Sequence, residues 1–462
     1  MRRLRDFWSG EADIAPVAVF RILFGVQLFN WFWQLFPNLT AFFTDEGILP
    51  RHELARAYAD RLSLLNLSGE WWLVATVWAV SCVVALGLTL GWHTRVMSLL
   101  AFALVSSFSW RDPLILDGSD FVFRMVPLWL AFTPAGERWS IDALRRSEAP
   151  VVRGWALPIR ILELQVAWIY LATGLEKLGG IDWVEGTAAY YALQLEHTFA
   201  RPWAHAFAVE PVVSHLISWY TLAVELTFLP LVMLPSRVTR TIAAFSAAAM
   251  QLGILMLMNV GNFPLVMLAC CVLFVRPEWI KRMMRDTIAA SSVPAGARPR
   301  AAGALLMLVA ALAFVTAVPS QLEAVRPSGN LASALRSLSL DQRWDMFSPN
   351  AARSDWWLLA PATLADGTRL DLLGGHADDR SERYSDPLYT RWTKVHERIA
   401  SSFFAGYRSE YARHFCRTRN SHLGPGQSPL VSFELFYIER TIQAPGKGPP
   451  LISESKLWTQ QC

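Results

Sequence analysis

Long apolar blocks separated by short polar loops fill the first two thirds of this 462-residue chain. A helix that crosses a bilayer needs roughly 20 consecutive apolar residues, because lipid offers no hydrogen-bond partners to an open backbone. The pattern therefore predicts an all-α polytopic membrane bundle of about nine transmembrane helices over residues 1–320. The predicted spans are 15–36, 72–91, 95–110, 119–134, 157–178, 212–234, 239–258, 262–276 and 301–319.

The remainder of the chain, residues 321–462, has the mixed polarity of a soluble α+β domain. Charged residues make up only 17% of the whole chain, against about 25% in an ordinary soluble domain. This low charged fraction indicates that the partner is the lipid bilayer. The net charge of +4 is too small to indicate a nucleic-acid partner. Four segments have local predictions: a flexible linker at 283–300, a β-hairpin at 355–373 around Asp366-Gly367, helical spacing at 387–416 and a strand at 430–442.

The basic residues predict the orientation of the bundle. Arg2, Arg3 and Arg5 precede the first span, and the loops 135–156 and 277–300 are also rich in Arg. Because cytoplasmic loops carry an excess of Lys and Arg, the N-terminus is predicted to be cytoplasmic and the C-terminal domain extracytoplasmic. A Cys416–Cys462 disulfide can form in such a compartment. The preference for Arg over Lys indicates a GC-rich bacterial genome, and hence the inner membrane.

Ionisable side chains inside the predicted spans are candidates for a functional site, because a charge in lipid is costly unless it is paired or solvated. Asp120 and Arg124 are four residues apart and are predicted to pair on one helical face. Arg21 and Glu225 are predicted to form a second buried pair. A purely structural role for both pairs is the alternative. The set consists of Arg21, Asp120, Arg124, Glu163, Glu176, Lys177 and Glu225.

The fifth predicted span is the most polar. Glu163, Tyr170 and Lys177 are spaced by seven residues and share one helical face, with Thr173 beside them. Lys177 is the first Lys of a chain that otherwise uses Arg up to residue 281. A buried Lys can lose its proton and act as a base, whereas Arg cannot. The alternative is a Lys that extends to the membrane surface and pairs with its neighbour Glu176.

No metal is expected. His376, Asp378 and Asp379 form a ligand-like cluster on a predicted loop, but the spacing is a weak signal. The sequence contains no Walker loop, dinucleotide fingerprint, His-Glu-x-x-His or Cys-x-x-Cys motif.

The segment around Lys177 resembles the signature of the vitamin K-dependent γ-carboxylase superfamily, and in particular its bacterial HTTM (horizontally transferred transmembrane) branch. Four further segments resemble the family in the same order along the chain. The matching segments are Phe20-Arg21-Ile22 with Gly25, Trp139-Ser140-Ile141-Asp142, Trp168 to Gly186, Gly261 to Leu268 and Trp344 to Pro349.

In the carboxylases, a Lys at the matching place takes a proton from reduced vitamin K. The reaction of that quinol with O2 yields a strong base, which removes a γ-proton from a substrate Glu before CO2 adds. The resemblance thus implies Lys177 as the base, and reduced vitamin K or menaquinone, O2 and CO2 as cofactors. The candidate catalytic residues are Lys177, Asp120, Arg124 and Glu225, and the candidate cofactor-binding residues are Tyr170, Trp183, Arg21 and Gln251.

The chain also departs from the carboxylase pattern. Ser119 and Gln251 stand where the carboxylases carry His, and Asp120 is the residue that could replace the first of them. The leading prediction is therefore a quinol- and oxygen-dependent enzyme that modifies a peptide or lipid-like substrate at the outer leaflet. The alternatives are a non-catalytic maturation or export partner of a secreted protein and, less favoured, a transporter.

Overall fold

The computed structural model describes residues 2–147, 151–285, 300–374, 391–421 and 423–462. Most of the predicted linker 283–300, the His376–Asp379 cluster and the start of the helical segment 387–416 lie outside these ranges. The helices up to residue 285 are α1 (Arg2–Ser9), α2 (Ala15–Leu35), α3 (Leu39–Phe43), α4 (Arg51–Ala57), α5 (Trp71–Leu90), α6 (Thr94–Arg111), α7 (Gly118–Leu130), α8 (Ile141–Leu144), α9 (Ala156–Leu178), α10 (Ile181–Val184), α11 (Ala188–Ala192), α12 (His205–Ala208), α13 (Pro211–Met233), α14 (Arg237–Leu257), α15 (Phe263–Cys271) and α16 (Pro277–Met283).

Five helical segments of the described chain are long and apolar enough to cross a membrane: Ala15–Phe43, α5, α9, α13 and α14. A sixth is added if Phe263–Phe274 and α16, which are bent by 109°, form one span. Large apolar side chains on α5, α13 and α14 remain exposed, as expected for surfaces that face lipid. The chain is therefore a helical membrane protein, and the count of nine spans stays a prediction.

Two of the predicted spans, 95–110 and 119–134, correspond to α6 and α7, which are not among the five segments long and apolar enough to cross a membrane. Eleven of the thirteen residues of α7 are buried by neighbouring helices, so this helix has protein around it where a lipid-facing span has acyl chains. The polar side chains of α6 and α7 are accommodated in the same way, since buried protein surroundings can supply hydrogen bonds.

The described chain beyond residue 299 combines helices with a sheet. Its sheet is built around the strand Leu430–Thr441, which pairs with Leu451–Gln461 along one edge and with Ser354–Leu359 and Pro361–Leu364 along the other. The short strands β1 and β2 form a separate antiparallel pair near the N-terminus. The elements are α17 (Arg300–Thr316), α18 (Gly329–Ser337), α19 (Arg391–Ala400), α20 (Arg408–Ser421), β1 (Glu11–Asp13), β2 (Arg153–Trp155), β3 (Ser354–Leu359), β4 (Pro361–Leu364), β5 (Arg369–Asp371), β6 (Leu430–Thr441) and β7 (Leu451–Gln461).

The predicted hairpin 355–373 is correct only in its second half. β4 and β5 pair antiparallel around the Asp366-Gly367 turn, where Gly367 has a φ of +85° that favours glycine. β3 instead pairs with β6, and the buried apolar residues of both strands belong to the core. The predicted strand 430–442 is confirmed as β6, and Cys416 and Cys462 form a disulfide with a Cα–Cα distance of 5.4 Å.

The helix α9 connects two chemically different ends of the bundle. At its N-terminal end, Glu163 accepts hydrogen bonds from Arg160 at 2.6 Å and from Arg240 at 2.7 Å. At its C-terminal end, Glu176 accepts from the backbone amide and hydroxyl of Ser320, both at 2.5 Å. The C-terminal residues thus pack on the end of the bundle that carries Lys177.

Candidate active site

A cavity of about 630 Å³ lies between α9, α13 and α14 and the C-terminal residues. Its volume is within the range of about 300–1,000 Å³ that is usual for small-molecule sites. Most of its wall is apolar, and a few polar groups converge on it. Five of the eight predicted site residues line it: Tyr170, Lys177, Trp183, Glu225 and Gln251.

Lys177 and Glu225 form a buried ion pair in the cavity wall. The Nζ of Lys177 donates to the two carboxylate oxygens of Glu225, at 2.6 and 2.9 Å. The two residues are only 4% and 6% exposed, so the pair has little contact with water. The predicted pair of Arg21 with Glu225 is therefore wrong, because Glu225 binds Lys177. The alternative, in which Lys177 pairs with Glu176, is not observed either, because Glu176 binds Ser320.

The pair depends on a close contact between α9 and α13. Gly174 lies one turn before Lys177, and a Cβ at this position would lie 3.0 Å from the Cβ of Glu225. The ring of Tyr170 packs on Phe228 of α13, with their centroids 4.5 Å apart. The small residue and the aromatic contact bring the two helices together where their charged side chains meet.

Trp183 closes the cavity beside the ion pair. The Nζ of Lys177 lies 4.8 Å from the centre of the Trp183 ring, which is within the range of a cation–π contact. The indole Nε1 of Trp183 donates to the backbone carbonyl of Phe347 at 2.8 Å. Trp183 is thereby held between the membrane helices and the C-terminal residues.

Gln251 and Tyr170 meet on the wall of the same cavity. The Nε2 of Gln251 donates to the hydroxyl of Tyr170 at 3.2 Å. Gln251 is only 1% exposed, and among the described residues its Oε1 has no hydrogen-bond partner. A buried acceptor without a donor is costly, so this oxygen fits a ligand that brings an O–H or N–H group.

Asp120 and Arg124 are not paired with each other, which corrects the prediction for α7. Asp120 accepts from Arg391 at 2.8 and 2.9 Å and from the indole of Trp31 at 2.8 Å. Arg124 donates to the backbone carbonyl of Asp341. Both side chains are buried, and each contacts a polar group of the C-terminal residues. These long-range partners replace the partner four residues away on α7.

Arg21 lies at the other end of the bundle, beside the Trp139–Asp142 motif. Its Nη2 donates to the carbonyl of Trp139 at 2.6 Å. Its guanidinium packs directly on Gly91, which has a φ of +68° and no room for a Cβ. Arg21 therefore does not line the cavity, and its observed contacts are structural.

Asp142 of the same motif caps α6. Its carboxylate accepts from the backbone amides of His93 and Thr94, at 2.7 and 2.8 Å, and from the Thr94 hydroxyl at 2.8 Å. Burial acts to raise the pKa of Asp142, but these hydrogen bonds outweigh it and lower the pKa below its usual range. This motif holds α6 in place.

A different group of potential metal ligands occurs among the described residues. Side-chain atoms of His52, Glu53 and Glu410 lie within 4.8 Å of one another. Glu53 already pairs with Arg56 at 2.7 Å, and Glu410 pairs with Arg413. Because guanidinium groups occupy the carboxylates, we assign no metal to this cluster.

A model of the HTTM domain matches residues 10–279, which is more than half of the chain. This chain belongs to the HTTM domain family. Among curated proteins it is similar to the uncharacterized protein YitO of Bacillus subtilis (strain 168), with 24% identity over 227 residues that cover 47% of this chain and 72% of YitO. No solved structure gives a significant match.

The cavity of this HTTM protein extends beyond the matched domain. Lys177, Glu225 and Gln251 lie within residues 10–279, whereas part of the rim comes from residues 343–352 and 394–398. We call these two segments the lid. Arg343, Asp345, Lys394, Glu397 and Arg398 of the lid all line the cavity.

The lid of this HTTM protein was not predicted from the sequence. Its segments are far from Lys177 along the chain, and local spacing carries no information about such contacts. One signal was present at Lys394, which is another of the five Lys residues in a chain rich in Arg. In the structure its Nζ donates to Glu397 at 2.7 Å and lies 4.9 Å from the ring centre of Phe199.

Proposed function

We propose that this HTTM protein is a membrane enzyme that removes a proton from a weakly acidic O–H group of a lipid-soluble molecule, with Lys177 and Glu225 acting together as the base. The observation that carries the proposal is the buried ion pair in the wall of a mainly apolar cavity. Buried charges in membrane helices are costly and usually have a functional role. A lipid-soluble substrate would reach this cavity without crossing water.

The proton balance of the pair supports this role. The resting pair holds one ammonium and one carboxylate, and it takes up one proton to give an ammonium and a carboxylic acid. The substrate oxygen is left with a negative charge, which the Lys177 ammonium stabilises at short range. The same final state is reached if the resting pair is neutral and the Lys177 amine accepts the proton. Both residues are therefore needed.

A hydroquinone fits the groups that line the cavity. The Oε1 of Gln251 would accept one ring hydroxyl, and Tyr170 and Trp183 would flank an aromatic ring. The HTTM family resembles the vitamin K-dependent carboxylases, and reduced vitamin K or menaquinone would supply, with O2, a base stronger than any side chain. The chain's own residues would bind the ring, exclude water and accept the first proton.

Neither Ser119 nor Asp120 is available to replace the first of the two carboxylase His residues. The hydroxyl of Ser119 donates to Asp117 at 2.6 Å, and Asp120 is bound to Arg391 and Trp31. Addition of CO2 to a Glu side chain therefore lacks a residue that the carboxylases use. We propose proton removal from the quinol as the shared step, and a peptide or lipid-like molecule as the final substrate.

We further propose that the cavity lies at the outer leaflet of the bacterial inner membrane. The Cys416–Cys462 disulfide supports an oxidising compartment for the C-terminal residues. The Arg-rich loops support a cytoplasmic location for the opposite end of the bundle. Lys177 would then be close to the extracytoplasmic surface.

The test is oxidation of a hydroquinone by the purified protein in lipid nanodiscs. Reduced vitamin K or menaquinone is added with O2, and both O2 consumption and the oxidised products are followed, the latter by mass spectrometry. Wild type is compared with Lys177→Ala, Lys177→Arg and Glu225→Gln. Lys281→Ala is the matched control, because Lys281 pairs with Asp13 away from the cavity. Loss of oxidation in the three cavity variants only is the expected result.

Equal background oxidation in all five proteins would refute the proposal. Oxidation that survives in Glu225→Gln but not in Lys177→Ala would assign the base to Lys177 alone. Oxidation that survives in Lys177→Arg would show that Glu225 and not Lys177 accepts the proton, since an Arg side chain keeps its proton.

A non-catalytic role in the maturation or export of a secreted protein is the second candidate. The observation that favours it is β7, an eleven-residue strand that pairs with β6 along one edge and with no other strand of the described residues. Its Leu451 and Ile452 are 63% and 60% exposed. Such an edge can accept a strand from another chain. In this case Lys177→Ala keeps full function, whereas Ile452→Pro abolishes it.

A further inference from the structure

The lid carries polar atoms without partners on the wall of the cavity. Among the described residues, the Nη1 of Arg398 and the hydroxyl of Ser348 have no hydrogen-bond partner, and both atoms are buried. Both residues line the cavity. A buried guanidinium N–H without an acceptor is costly, so these atoms fit a ligand with an acceptor group.

The charge of the lid identifies the kind of acceptor. Arg343 donates to Asp345 at 2.5 Å, and Lys394 donates to Glu397 at 2.7 Å, which leaves each of these pairs neutral. Arg398 uses its Nη2 to bind the backbone carbonyl of Leu116 at 2.8 Å. Within the described ranges, no carboxylate forms an ion pair with Arg398, so the lid presents a net positive charge.

Asp112, which directly follows α6, is an acidic residue whose charge interacts with that of Arg398. It is completely buried, and burial raises its pKa to about 7. Among the described residues it forms no ion pair with Arg398, so it compensates the Arg398 charge only in part. An anion at the lid would complete that compensation.

The opposite side of the cavity opens toward lipid between α13 and α14. Tyr220, Ala249 and Gly253 line the cavity and lie on faces of these two helices that are at least partly exposed. A Cβ at Gly253 would have no atom within 4 Å. The hydroxyl of Tyr220 donates to the carbonyl of Ser246 at 2.8 Å and bridges the two helices beside the opening.

We infer that the cavity holds an anionic amphiphile, with its acidic group bound by Arg398 and Ser348 of the lid and its apolar tail leaving between α13 and α14. The inference rests on the proposed function, since it narrows the substrate from a peptide or lipid-like molecule to a membrane-dissolved acid. An apolar tail suits the opening to lipid, and an anion suits the unpaired guanidinium N–H.

Photolabelling tests this inference without any turnover. Wild type in phosphatidylcholine nanodiscs is labelled with a diazirine analogue of oleic acid and, separately, with the matching alcohol. The labelled peptides are identified by mass spectrometry. A charged hydrogen bond corresponds to a preference of roughly tenfold or more, so we expect the acid to label the helices α13 and α14 at least tenfold more efficiently than the alcohol.

The variants separate the head and tail contacts. Arg398→Gln and Ser348→Ala should each reduce the preference for the acid, and Arg398→Gln should bring it close to equality. Gly253→Trp should block labelling by both probes, because it fills the opening. Arg413→Gln, on α20 and away from the cavity, is the control and should behave like wild type. The Ser348→Ala result decides the matter if Arg398→Gln does not fold.

Equal labelling of wild type by the acid and the alcohol would overturn the inference. So would a preference that is unchanged in both lid variants, or displacement of the probe by a glutamate-rich peptide but not by oleate, which would indicate a peptide substrate. If the labelling is as expected but hydroquinone is not oxidised, the proposed function fails and the binding site stands.

Discussion

Lys177 and Glu225 face each other across the contact between α9 and α13, with the ammonium nitrogen 2.6 and 2.9 Å from the carboxylate oxygens. Tyr170 of α9 and Gln251 of α14 lie beside this contact, on the wall of the same cavity. A charge pair inside a membrane bundle affects the free energy of unfolding as well as the chemistry of the cavity, and the two effects can be measured separately.

The first prediction concerns the stability of the ion pair. Lys177→Met and Glu225→Met each leave one buried charge without its partner, so each should lower the free energy of unfolding by about 3–5 kcal/mol. The double variant replaces the pair by two apolar side chains of similar volume and should be more stable than either single variant. Denaturation midpoints in one detergent provide the measurement. A double variant that loses the sum of the two single effects contradicts a direct pairing.

The second prediction compares two glycines in the helices around the cavity. At Gly174, an added Cβ would lie 3.0 Å from Glu225 and 3.1 Å from Leu226, so Gly174→Val should force α9 and α13 apart and lower the free energy of unfolding by about 1–3 kcal/mol. At Gly253 there is open space, and Gly253→Ala should raise stability by about 0.5–1 kcal/mol. Thermal unfolding of the two variants provides the measurement, and equal losses would contradict the close contact.

The sequence predicted the character of the bundle and part of the site, because both depend on local patterns. Apolar runs of sufficient length identified α2, α5, α9, α13 and α14. The seven-residue spacing correctly placed Tyr170 and Lys177 on one face of α9. Glu163 shares this spacing but binds Arg160 and Arg240 at the other end of the helix, because the helix is long enough for its two ends to meet different surroundings.

The partners of the charged residues could not be predicted from spacing. Asp120 and Arg124 are compatible with a pair on one helical turn, yet Asp120 binds Arg391 and Arg124 binds the carbonyl of Asp341. A short-range pair on a helix contributes only a few tenths of a kcal/mol, which is less than a buried charge gains from a well-placed long-range partner. The lid could not be predicted for the same reason.

The third prediction concerns pH and His396, on α19 of the C-terminal residues. Burial lowers the pKa of His396 to about 4, and its Nε2 has no hydrogen-bond partner among the described residues. Because the folded pKa lies below the unfolded value of about 6.5, this residue stabilises the fold above pH 6.5, and the contribution is lost as the pH falls toward 4. The loss should reach about 3 kcal/mol at most. His396→Asn should therefore flatten the decrease in melting temperature between pH 7 and 4.5.

Asp112 provides the control of opposite sign. Its folded pKa of about 7 lies above the usual value of 3.8, so its contribution to stability is present at low pH and is lost as the pH rises from 3.8 to 7. Asp112→Asn removes this contribution and should make the decrease in melting temperature on acidification steeper than in wild type. Parallel pH profiles for wild type and both variants would refute the assigned shifts.

The fourth prediction concerns the Cys416–Cys462 disulfide, which closes a sequence separation of 46 residues between α20 and the end of β7. Removing a cross-link over such a distance should lower the free energy of unfolding by about 2–4 kcal/mol, because the unfolded chain gains conformational freedom. Cys416→Ser, Cys462→Ser and the double variant should therefore be equally destabilised, since each lacks the same bond. Cys82→Ser is the control, because Cys82 is a free buried cysteine of α5.

The same disulfide reports the side of the membrane on which the C-terminal residues lie. In intact cells, a membrane-impermeant thiol reagent should label Cys416 and Cys462 only after external reduction. Labelling without reduction would show that the bond does not form, and no labelling after reduction would place the C-terminal residues in the cytoplasm.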